Sequence, residues 1–257
     1  MRRALVTGAS RGIGHALAVE LAGRGYEVVA TARRVDDLAD LPYAARLPLD
    51  VTSDTSVAAA ATSAGTIDLL INNAALGVVA PVEDTPAEVA RAVFDTNVVG
   101  PLRLISAFLP GMRQRGGGTV VSVSSVAGQA VFPLTGVHAA SKHALEALSE
   151  ALAMEAGPLG IRVLIVELGS VATGTYEWQE RYVSSAYAHL DRAQRVPSED
   201  TGAAPVSPEQ AASAIADAID ATETPLRLPI GPDAAWLLSE RARLTDAGWA
   251  VRAREFT

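Results

Sequence analysis

Three glycines close to the start of the chain constrain its fold more than any other feature. Gly8, Gly12 and Gly14 follow a short apolar run and open an Ala/Leu-rich segment, which predicts a strand, a tight turn and a helix. The first glycine permits the sharp turn, the second lets the backbone approach a pyrophosphate, and the third allows close helix–strand packing. The helix amino terminus then presents free N–H groups to the phosphates. The segment therefore predicts a dinucleotide phosphate loop made of Gly8, Ser10, Arg11, Gly12, Ile13 and Gly14.

Short β-branched runs alternate with Ala/Leu-rich segments along the rest of the chain. The runs predict buried strands over Ala4–Thr7, Glu27–Thr31, Arg46–Leu49, Leu69–Ile71, Thr119–Val123, Arg162–Val166 and Leu226–Ile230. The other segments predict helices over Gly14–Arg24, Ser53–Thr62, Pro86–Arg115, His138–Glu155 and Pro208–Ala221. This alternation implies an α/β fold with a seven-stranded, mostly parallel sheet covered by helices on both faces. Right-handed crossovers make the sheet doubly wound and Rossmann-like.

The length of 257 residues suits one domain, 1–257, because neither an internal repeat nor a linker interrupts the pattern. The stretch 174–206 lacks clear periodicity, and a loop of that length in a compact domain is usually functional. We interpret it as a substrate loop. Its aromatic residues either cover an apolar ligand or anchor the loop to the core, and they are Tyr176, Trp178, Tyr182 and Tyr187.

The composition excludes several classes of function. The chain has 29 acidic residues against 21 Lys and Arg, a formal net charge of −8, so neither nucleic acid nor an anionic membrane is an expected partner. It has no cysteine, and no cluster of His, Asp and Glu has metal-ligand spacing, so we predict no metal. Apolar runs end after a few residues, which predicts neither a transmembrane helix nor a signal peptide. We expect a cytoplasmic protein.

The end of the second predicted strand distinguishes between two dinucleotide cofactors. A site that prefers NAD carries an acid here to bind the ribose 2′-hydroxyl, whereas this strand is followed by Arg33 and Arg34. The arginine fork matches a phosphate group, so Arg33, together with Arg11, is expected to hold a 2′-phosphate. The pattern therefore favours NADP(H) over NAD(H). The alternative is that both arginines are solvated surface charges.

Three motifs resemble, in order and spacing, those of the short-chain dehydrogenases/reductases, and they are Thr7–Gly14, Asn72–Ala74 and Ser124–Gly128. The resemblance covers essentially the whole chain and implies a compact, single-domain enzyme with a nicotinamide cofactor. It implies that Asn72 helps to steady the central sheet. The further positions that it assigns to the cofactor are Asp50 and Val51 at the adenine, Asn73, Ala74 and Ala75 at the ribose, and Gly169, Val171 and Thr173 around the carboxamide and phosphates. Ala75 departs from the family pattern, which has glycine there.

The same resemblance implies four catalytic positions. Asn97 matches an asparagine that kinks a helix and holds a relay water, Ser125 a serine that bonds the substrate carbonyl, and Lys142 a lysine that binds the nicotinamide ribose. His138 stands where the family carries its tyrosine. Because residues four apart share one helix face, positions 138 and 142 project together, so the register is intact and only the side chain differs.

The histidine leaves three interpretations of the chemistry. Imidazole has an ordinary pKa of about 6.5, which suits proton transfer, but a Lys142 cation favours its neutral form. We favour an NADP(H)-dependent ketoreductase or alcohol dehydrogenase whose proton donor is His138, or a water held by Asn97 and Lys142. The second interpretation is redox-neutral proton transfer such as dehydration, cyclisation or epimerisation, and the third is a non-catalytic NADPH-binding protein. A histidine introduced by engineering would give the same sequence.

The substrate and the assembly are predicted only in outline. The apolar segment 130–134 and the aromatic loop indicate a small apolar carbonyl or alcohol substrate. The predicted helices Pro86–Arg115 and His138–Glu155 resemble those through which the family forms four-helix interfaces. Since symmetric oligomers are common, we predict a homodimer or homotetramer.

Overall fold

The structure, a computed structural model, describes residues 1–38, 45–173, 180–191 and 204–256. Its strands are β1 (Arg3–Val6), β2 (Glu27–Ala32), β3 (Ala45–Pro48), β4 (Leu69–Asn72), β5 (Val78–Val79), β6 (Gly118–Val123), β7 (Ile161–Leu168), β8 (Glu180–Arg181) and β9 (Arg227–Ile230). Seven of them form one parallel sheet in the order β3-β2-β1-β4-β6-β7-β9, and the short β5 and β8 pair with each other. The predicted fold class is confirmed.

Helices connect these strands. They are α1 (Gly12–Gly23), α2 (Asp54–Ala64), α3 (Ala87–Phe94), α4 (Gly100–Gln114), α5 (Gly136–Ala156), α6 (Ala188–Asp191), α7 (Pro208–Asp220), α8 (Pro232–Arg243) and α9 (Asp246–Arg252). One prediction needs correction: the single helix expected over Pro86–Arg115 is divided by a π-helical turn, Asp95–Val99, into α3 and α4. The extra residue of that turn directs Asn97 inward, where its amide bonds the backbone of Leu76.

The sheet is buried on both faces because successive side chains of a strand point in opposite directions. Along β1, Val6 packs into one apolar cluster with Leu17 of α1 and Ile215 of α7. The neighbouring Leu5 packs into a second cluster on the other face, together with Leu104 of α4. Two apolar cores therefore hold the sheet between two helical layers.

The strand order reverses between β1 and β4. From β1 the chain proceeds outward to β2 and β3, whereas from β4 it proceeds to the other edge of the sheet. The loops at the carboxyl ends of these two strands diverge, and such a reversal leaves a crevice between them. Gly8 follows β1 and Asn73 follows β4, so both motifs lie at this crevice.

One helical stretch, Ala87–Gln114, is long and apolar enough to cross a membrane by length and composition alone. It contains the π-helical turn and the buried Asn97, and α4 packs on α2 and on the sheet. We therefore assign the stretch to the fold. The single domain and the cytoplasmic location stay predictions.

Only part of the predicted substrate loop is described. Residues 180–191 and 204–206 are present, whereas Tyr176 and Trp178 lie outside the described residues. β8 pairs with β5, and the amide of Tyr182 donates to the carbonyl of Val79 at 3.0 Å. Leu190 lines the cleft described below. The described end of the loop is thus tied to the segment that follows β4.

Candidate active site

A cleft of about 1170 Å³ opens at the carboxyl ends of the sheet strands. It brings together most of the predicted site residues. Those that line it are Gly8, Ser10, Arg11, Gly12, Ile13, Gly14, Arg33, Asp50, Val51, Asn73, Ala74, Ala75, Ser125, His138, Lys142, Gly169, Val171 and Thr173. Arg34 and Asn97 do not line it. All the predicted cofactor residues except Arg34, and three of the four predicted catalytic residues, therefore share one space.

The glycine-rich loop has the geometry that a phosphate group requires. Gly8 and Gly12 have φ angles of 66° and 56°, in the left-handed region that favours glycine. A β-carbon at Gly14 would lie 3.0 Å from the carbonyl carbon of Gly8, so only glycine allows α1 to pack this closely. Among the described residues, no side chain caps the amino terminus of α1. Its free N–H groups and dipole therefore suit an anion.

Asn73 fixes the loop against the end of β4. Its Nδ2 donates to the carbonyl oxygens of Thr7, at 2.8 Å, and Gly8, at 3.2 Å. The hydroxyl of Thr7 in turn accepts the backbone N–H of Asn73 at 2.9 Å. The amide of Asn72, in contrast, is buried and has no hydrogen-bond partner within the described parts of the chain. The bonds that steady the loop thus come from Asn73 rather than from Asn72.

The two candidate arginines at the end of β2 lie in different places. Arg33 lines the cleft, where its positive charge contributes to lowering the pKa of Asp50, after the larger effect of the Thr52 hydrogen bonds. The side chain of Arg34 is largely exposed and lies 3.8 Å from the carboxylate of Asp37 instead. Arg33 is therefore the one of the two arginines that lines the cleft.

Asn97 acts through the backbone around it. Its Oδ1 accepts the N–H of Leu76 at 2.8 Å, and its Nδ2 donates to the carbonyl of Leu76 at 2.9 Å and to the hydroxyl of Ser141 at 3.0 Å. Ser141 donates to the carbonyl of His138 at 2.7 Å. Asn97 thus connects the segment after β4 to the first turn of α5, which carries the histidine.

Ser125 follows the end of β6 and begins a 3₁₀ turn. Its hydroxyl accepts the N–H of Ala127 at 3.2 Å and donates to the carbonyl of Leu168 at 3.3 Å. The second of these bonds is long, so a substrate oxygen in the cleft can replace it at little cost. The position agrees with a group that binds a substrate oxygen.

His138 lies in the first turn of α5 with its ring half-buried against the cleft. Its Nδ1 is buried without a hydrogen-bond partner among the described residues, and the residue lines the cleft. Burial and the positive charge of Lys142 lower the pKa of His138 to about 4, and the carbonyl of Leu76 acts weakly in the opposite direction. The imidazole is therefore neutral at neutral pH, as the neighbouring lysine led us to predict.

Lys142 is the only lysine in the chain. It lies one turn after His138 on α5, it is 5% exposed, and its Nζ donates to the carbonyl of Val123 at 2.8 Å. Burial lowers the pKa of its ammonium group to about 8, while the charge of Glu146 acts to raise it. The lysine is therefore held at the end of β6, still charged at neutral pH.

Apolar side chains make up another part of the lining of the cleft. They include Val78, Val79, Val126, Phe132, Leu134, Leu190 and Leu237. Phe132 packs edge-on against Trp249 of α9, so the carboxyl-terminal helices support this wall. The arrangement suits an apolar substrate body next to Ser125 and His138.

The sequence model of the short chain dehydrogenases matches residues 2–181. This match covers the phosphate loop, Asn97, Ser125, His138 and Lys142. The chain belongs to the short-chain dehydrogenase family. The family resemblance predicted from the motifs is confirmed, and the chain is an oxidoreductase of that family.

Relatives and solved structures of the short-chain dehydrogenase family agree with this assignment. Human 17-beta-hydroxysteroid dehydrogenase type 1 is 39% identical over 204 residues, which are 73% of this chain and 61% of that enzyme. A short-chain dehydrogenase from Streptomyces avermitilis has a TM-score of 0.86 and 38% identity, over 98% of this chain and 94% of that one. A short-chain dehydrogenase from Burkholderia cenocepacia, solved with NADP, has a TM-score of 0.80 and 28% identity over 100% of both chains.

Two residues of this short-chain dehydrogenase site are absent from the sequence prediction. Ser141 carries the bond between Asn97 and the backbone of His138. Asp233, in the first turn of α8, is buried at the cleft and accepts the N–H of Ser170 at 2.7 Å. A signal existed for Asp233, because it follows the carboxyl end of the last strand, where ligand-binding residues gather in such folds.

Proposed function

We propose that this chain is an NADP(H)-dependent oxidoreductase that interconverts an apolar alcohol and its carbonyl compound. The observation that carries the proposal is the convergence of Ser125, His138 and Lys142 in the cleft that holds the phosphate loop. A nicotinamide cofactor bound there would supply or accept the hydride. The residues of the chain itself bind the substrate oxygen and move its proton.

The choice of NADP(H) rests on the arginines. Arg33 and Arg11 both line the cleft, and a guanidinium group matches the charge and geometry of a 2′-phosphate. The acid that would bind a free ribose 2′-hydroxyl is missing at the end of β2. The relative from Burkholderia cenocepacia was solved with NADP, which supports the same cofactor here.

The neutral state of the His138 imidazole favours alcohol oxidation over carbonyl reduction. A neutral imidazole with a pKa of about 4 accepts a proton but has almost no proton to donate at neutral pH. In this direction Ser125 binds the substrate hydroxyl and Nε2 of His138 takes its proton. Because the charge of Lys142 opposes a lasting imidazolium, the proton passes on to water.

The substrate class follows from the apolar wall of the cleft. Val126, Phe132 and Leu237 provide the surface next to Ser125 on which an apolar body would pack. The human relative is named a 17-beta-hydroxysteroid dehydrogenase, and a hydroxysteroid is an apolar alcohol. We therefore infer a medium-sized apolar alcohol or ketone.

A second candidate function is redox-neutral proton transfer in the same cleft. His138 is a neutral base, whereas Lys142, one turn away, is a charged acid with a pKa of about 8. Environments that separate two pKa values in this way create an acid and a base in one site. Dehydration or epimerisation would use this pair.

The experiment that separates the two candidates follows the absorbance of the reduced nicotinamide. Wild type, His138→Tyr and His138→Ala are compared with NADP⁺ and apolar secondary alcohols, and with NADPH and the matching ketones. We expect wild type to oxidise alcohols and His138→Ala to be slower by about 10²-fold, because it lacks the base. A wild type that binds NADPH and transfers no hydride, next to an active His138→Tyr, would contradict the proposal and favour the second candidate.

We further propose a homodimer or homotetramer assembled through α4 and α5. A groove of about 290 Å³ lies between these two helices, with Leu102 and Leu148 in its lining. Leu102 is 46% exposed at this groove, where a helix of a second copy of the chain would cover it. Sedimentation of wild type and Leu102→Glu tests the assembly, and a wild type that sediments as a monomer would contradict it.

A further inference from the structure

A buried glutamate lies one helical turn behind the catalytic lysine. Glu146 of α5 is 3% exposed, and both of its carboxylate oxygens are occupied. Oε1 accepts the hydroxyl of Ser124 at 2.9 Å, and Oε2 accepts Nε of Arg227 at 3.1 Å. A buried carboxylate is costly unless its charge is compensated, so its place at this site requires a reason.

Two consecutive turns of α5 hold two consecutive residues at the end of β6. Lys142 donates to the carbonyl of Val123, and Glu146 accepts the hydroxyl of Ser124. The next residue along the chain is Ser125. These two hydrogen bonds fix the position of Ser125 relative to Lys142, and Glu146 makes one of them.

The charges around Glu146 come from three elements. On α5 they are Lys142 and Glu150, on β7 the buried Glu167, and on β9 Arg227. Arg227 also binds Glu150 at 2.8 Å and lies 3.9 Å from Glu167, so it is shared among three carboxylates. Two neutral groups complete the surroundings, the hydroxyl of Ser124 and the side-chain amide of Gln129, which donates to Glu167.

Burial raises the pKa of the Glu167 carboxyl, and the charge of Glu146 raises it further. Arg227 compensates only part of the negative charge, since it also faces Glu150. The negative charge of Glu146 provides the field that acts to raise the pKa of Lys142. That field opposes the effect of burial on the lysine.

We propose that Glu146 is a positioning residue of this site, which keeps Lys142 protonated in its buried position and holds the Ser125 segment against α5. The inference deepens the proposed function and rests on it for its role in catalysis. Its electrostatic part, however, is testable without any turnover. No proton moves to or from Glu146 in this role, so the glutamate contributes charge and a hydrogen bond only.

The single lysine makes the test direct. Protein labelled with ¹³C at the lysine ε-carbon gives one lysine resonance, and its chemical shift against pH reports the protonation of Lys142 in the folded chain. The matched pair of variants is Glu146→Gln and Glu150→Gln. Both remove one carboxylate that binds Arg227, but Glu150 is about half-exposed and lies two turns from the lysine.

We expect Glu146→Gln to lower the titration midpoint of Lys142 by about one pH unit, because a nearby opposite charge stabilises the charged form by that order. Glu150→Gln should leave the midpoint close to the wild-type value, since exposed charges are screened. Equal midpoints in Glu146→Gln and Glu150→Gln would overturn the proposal.

A second variant serves if Glu146→Gln does not fold. Arg227→Gln removes the cation that compensates Glu146, so the midpoint of Lys142 should rise rather than fall. An unchanged or lower midpoint in Arg227→Gln would overturn the proposal in the same way.

The activity measurement then separates this inference from the proposed function. If alcohol oxidation occurs, its alkaline limit in Glu146→Gln should move down by the same amount as the NMR midpoint, with kcat near neutral pH changed less. An alkaline limit that stays in place while the midpoint moves would overturn the catalytic role of Glu146. If no variant oxidises alcohols, the proposed function fails, and the lysine titration still decides whether Glu146 controls the charge of Lys142.

Discussion

The backbone of Gly169 packs directly on the buried carboxylate of Asp233. A β-carbon at residue 169 would lie 2.7 Å from Cγ and 2.8 Å from Oδ2 of that aspartate. Oδ2 also accepts the N–H of Ser170, so the aspartate cannot retreat without losing a bond. This contact joins the carboxyl end of β7 to the first turn of α8, at the segment that the family resemblance assigns to the cofactor.

Gly169→Ala should therefore destabilise the protein. We expect the free energy of unfolding to fall by about 1–3 kcal/mol, the usual cost of adding a methyl group to a packed site. Urea denaturation measures it. The control is Gly23→Ala at the end of α1, where nothing lies within 4 Å of the new β-carbon and φ lies outside the left-handed region, so its midpoint should stay the same or rise. Equal losses in both variants would contradict the packing argument.

Arg33 and Arg34 provide a matched pair for the cofactor. Arg33→Ala should weaken NADPH binding by about 10–100-fold, since a charge-assisted bond to phosphate contributes about 1.5–3 kcal/mol. NADH binding should change little. Arg34→Ala removes a side chain that lies near Asp37 and not in the cleft, so it should bind both cofactors as wild type does. Titration of the fluorescence of the reduced nicotinamide gives both dissociation constants. A larger loss from Arg34→Ala would reverse the assignment of the two arginines.

The lowered pKa of His138 makes stability depend on pH. Between about pH 4, its folded pKa, and about pH 6.5, its unfolded pKa, the unfolded chain binds more protons, so stability falls as the pH falls. This residue should therefore reduce the free energy of unfolding by about 2 kcal/mol between pH 7 and pH 5. In His138→Gln this contribution disappears, and the difference between wild type and variant should change by that amount in urea denaturation. A pH-independent difference would show that the histidine titrates normally.

Asn97 should be essential for the shape of the site rather than for contact with ligand. Asn97→Ala leaves the partly buried N–H and carbonyl of Leu76 without their partner, so we expect a loss of about 1–3 kcal/mol in the free energy of unfolding. Thr96→Ala is a suitable comparison from the same π-helical turn. Because Asn97 does not line the cleft, the free energy of NADPH binding should change less than the free energy of unfolding does. A selective loss of NADPH binding in Asn97→Ala would contradict this role.

Much of the fold could be predicted because hydrophobic period and glycine position are local signals. The strands and the phosphate loop follow from runs of β-branched residues and from Gly8, Gly12 and Gly14. The hydrophobic pattern gives no sign of the π-helical turn around Asn97, since the 3.6-residue pattern continues through it and the cause is a tertiary bond to Leu76. Only the family resemblance implied a kink at this residue. The observed strand ends differ from the predicted ones by one or two residues, because pairing with the neighbouring strand decides where a strand ends.

The site divides in a similar way. Ser125, His138 and Lys142 belong to spaced motifs, so their meeting could be predicted. Arg33 and Arg34 are adjacent residues of the same type, so the sequence alone does not show which side chain enters the cleft. The path of the backbone after β2 directs Arg33 into the cleft and Arg34 toward Asp37. Asp233 and Glu146 were not predicted, because a lone acid in a helix reads as a solvated charge until packing shows that it is buried.

The single lysine restricts the reaction of this chain with amine-directed reagents. Amine-directed reagents, apart from those that reach the amino terminus, have only the buried Lys142 to modify, and its nitrogen is held against the carbonyl of Val123. Acylation at that residue therefore requires the amine to lose a proton and to leave its bond to the carbonyl of Val123. The rate of its modification therefore reports how often the lysine of α5 leaves this bond at the end of β6. A ligand bound in the cleft should lower that rate.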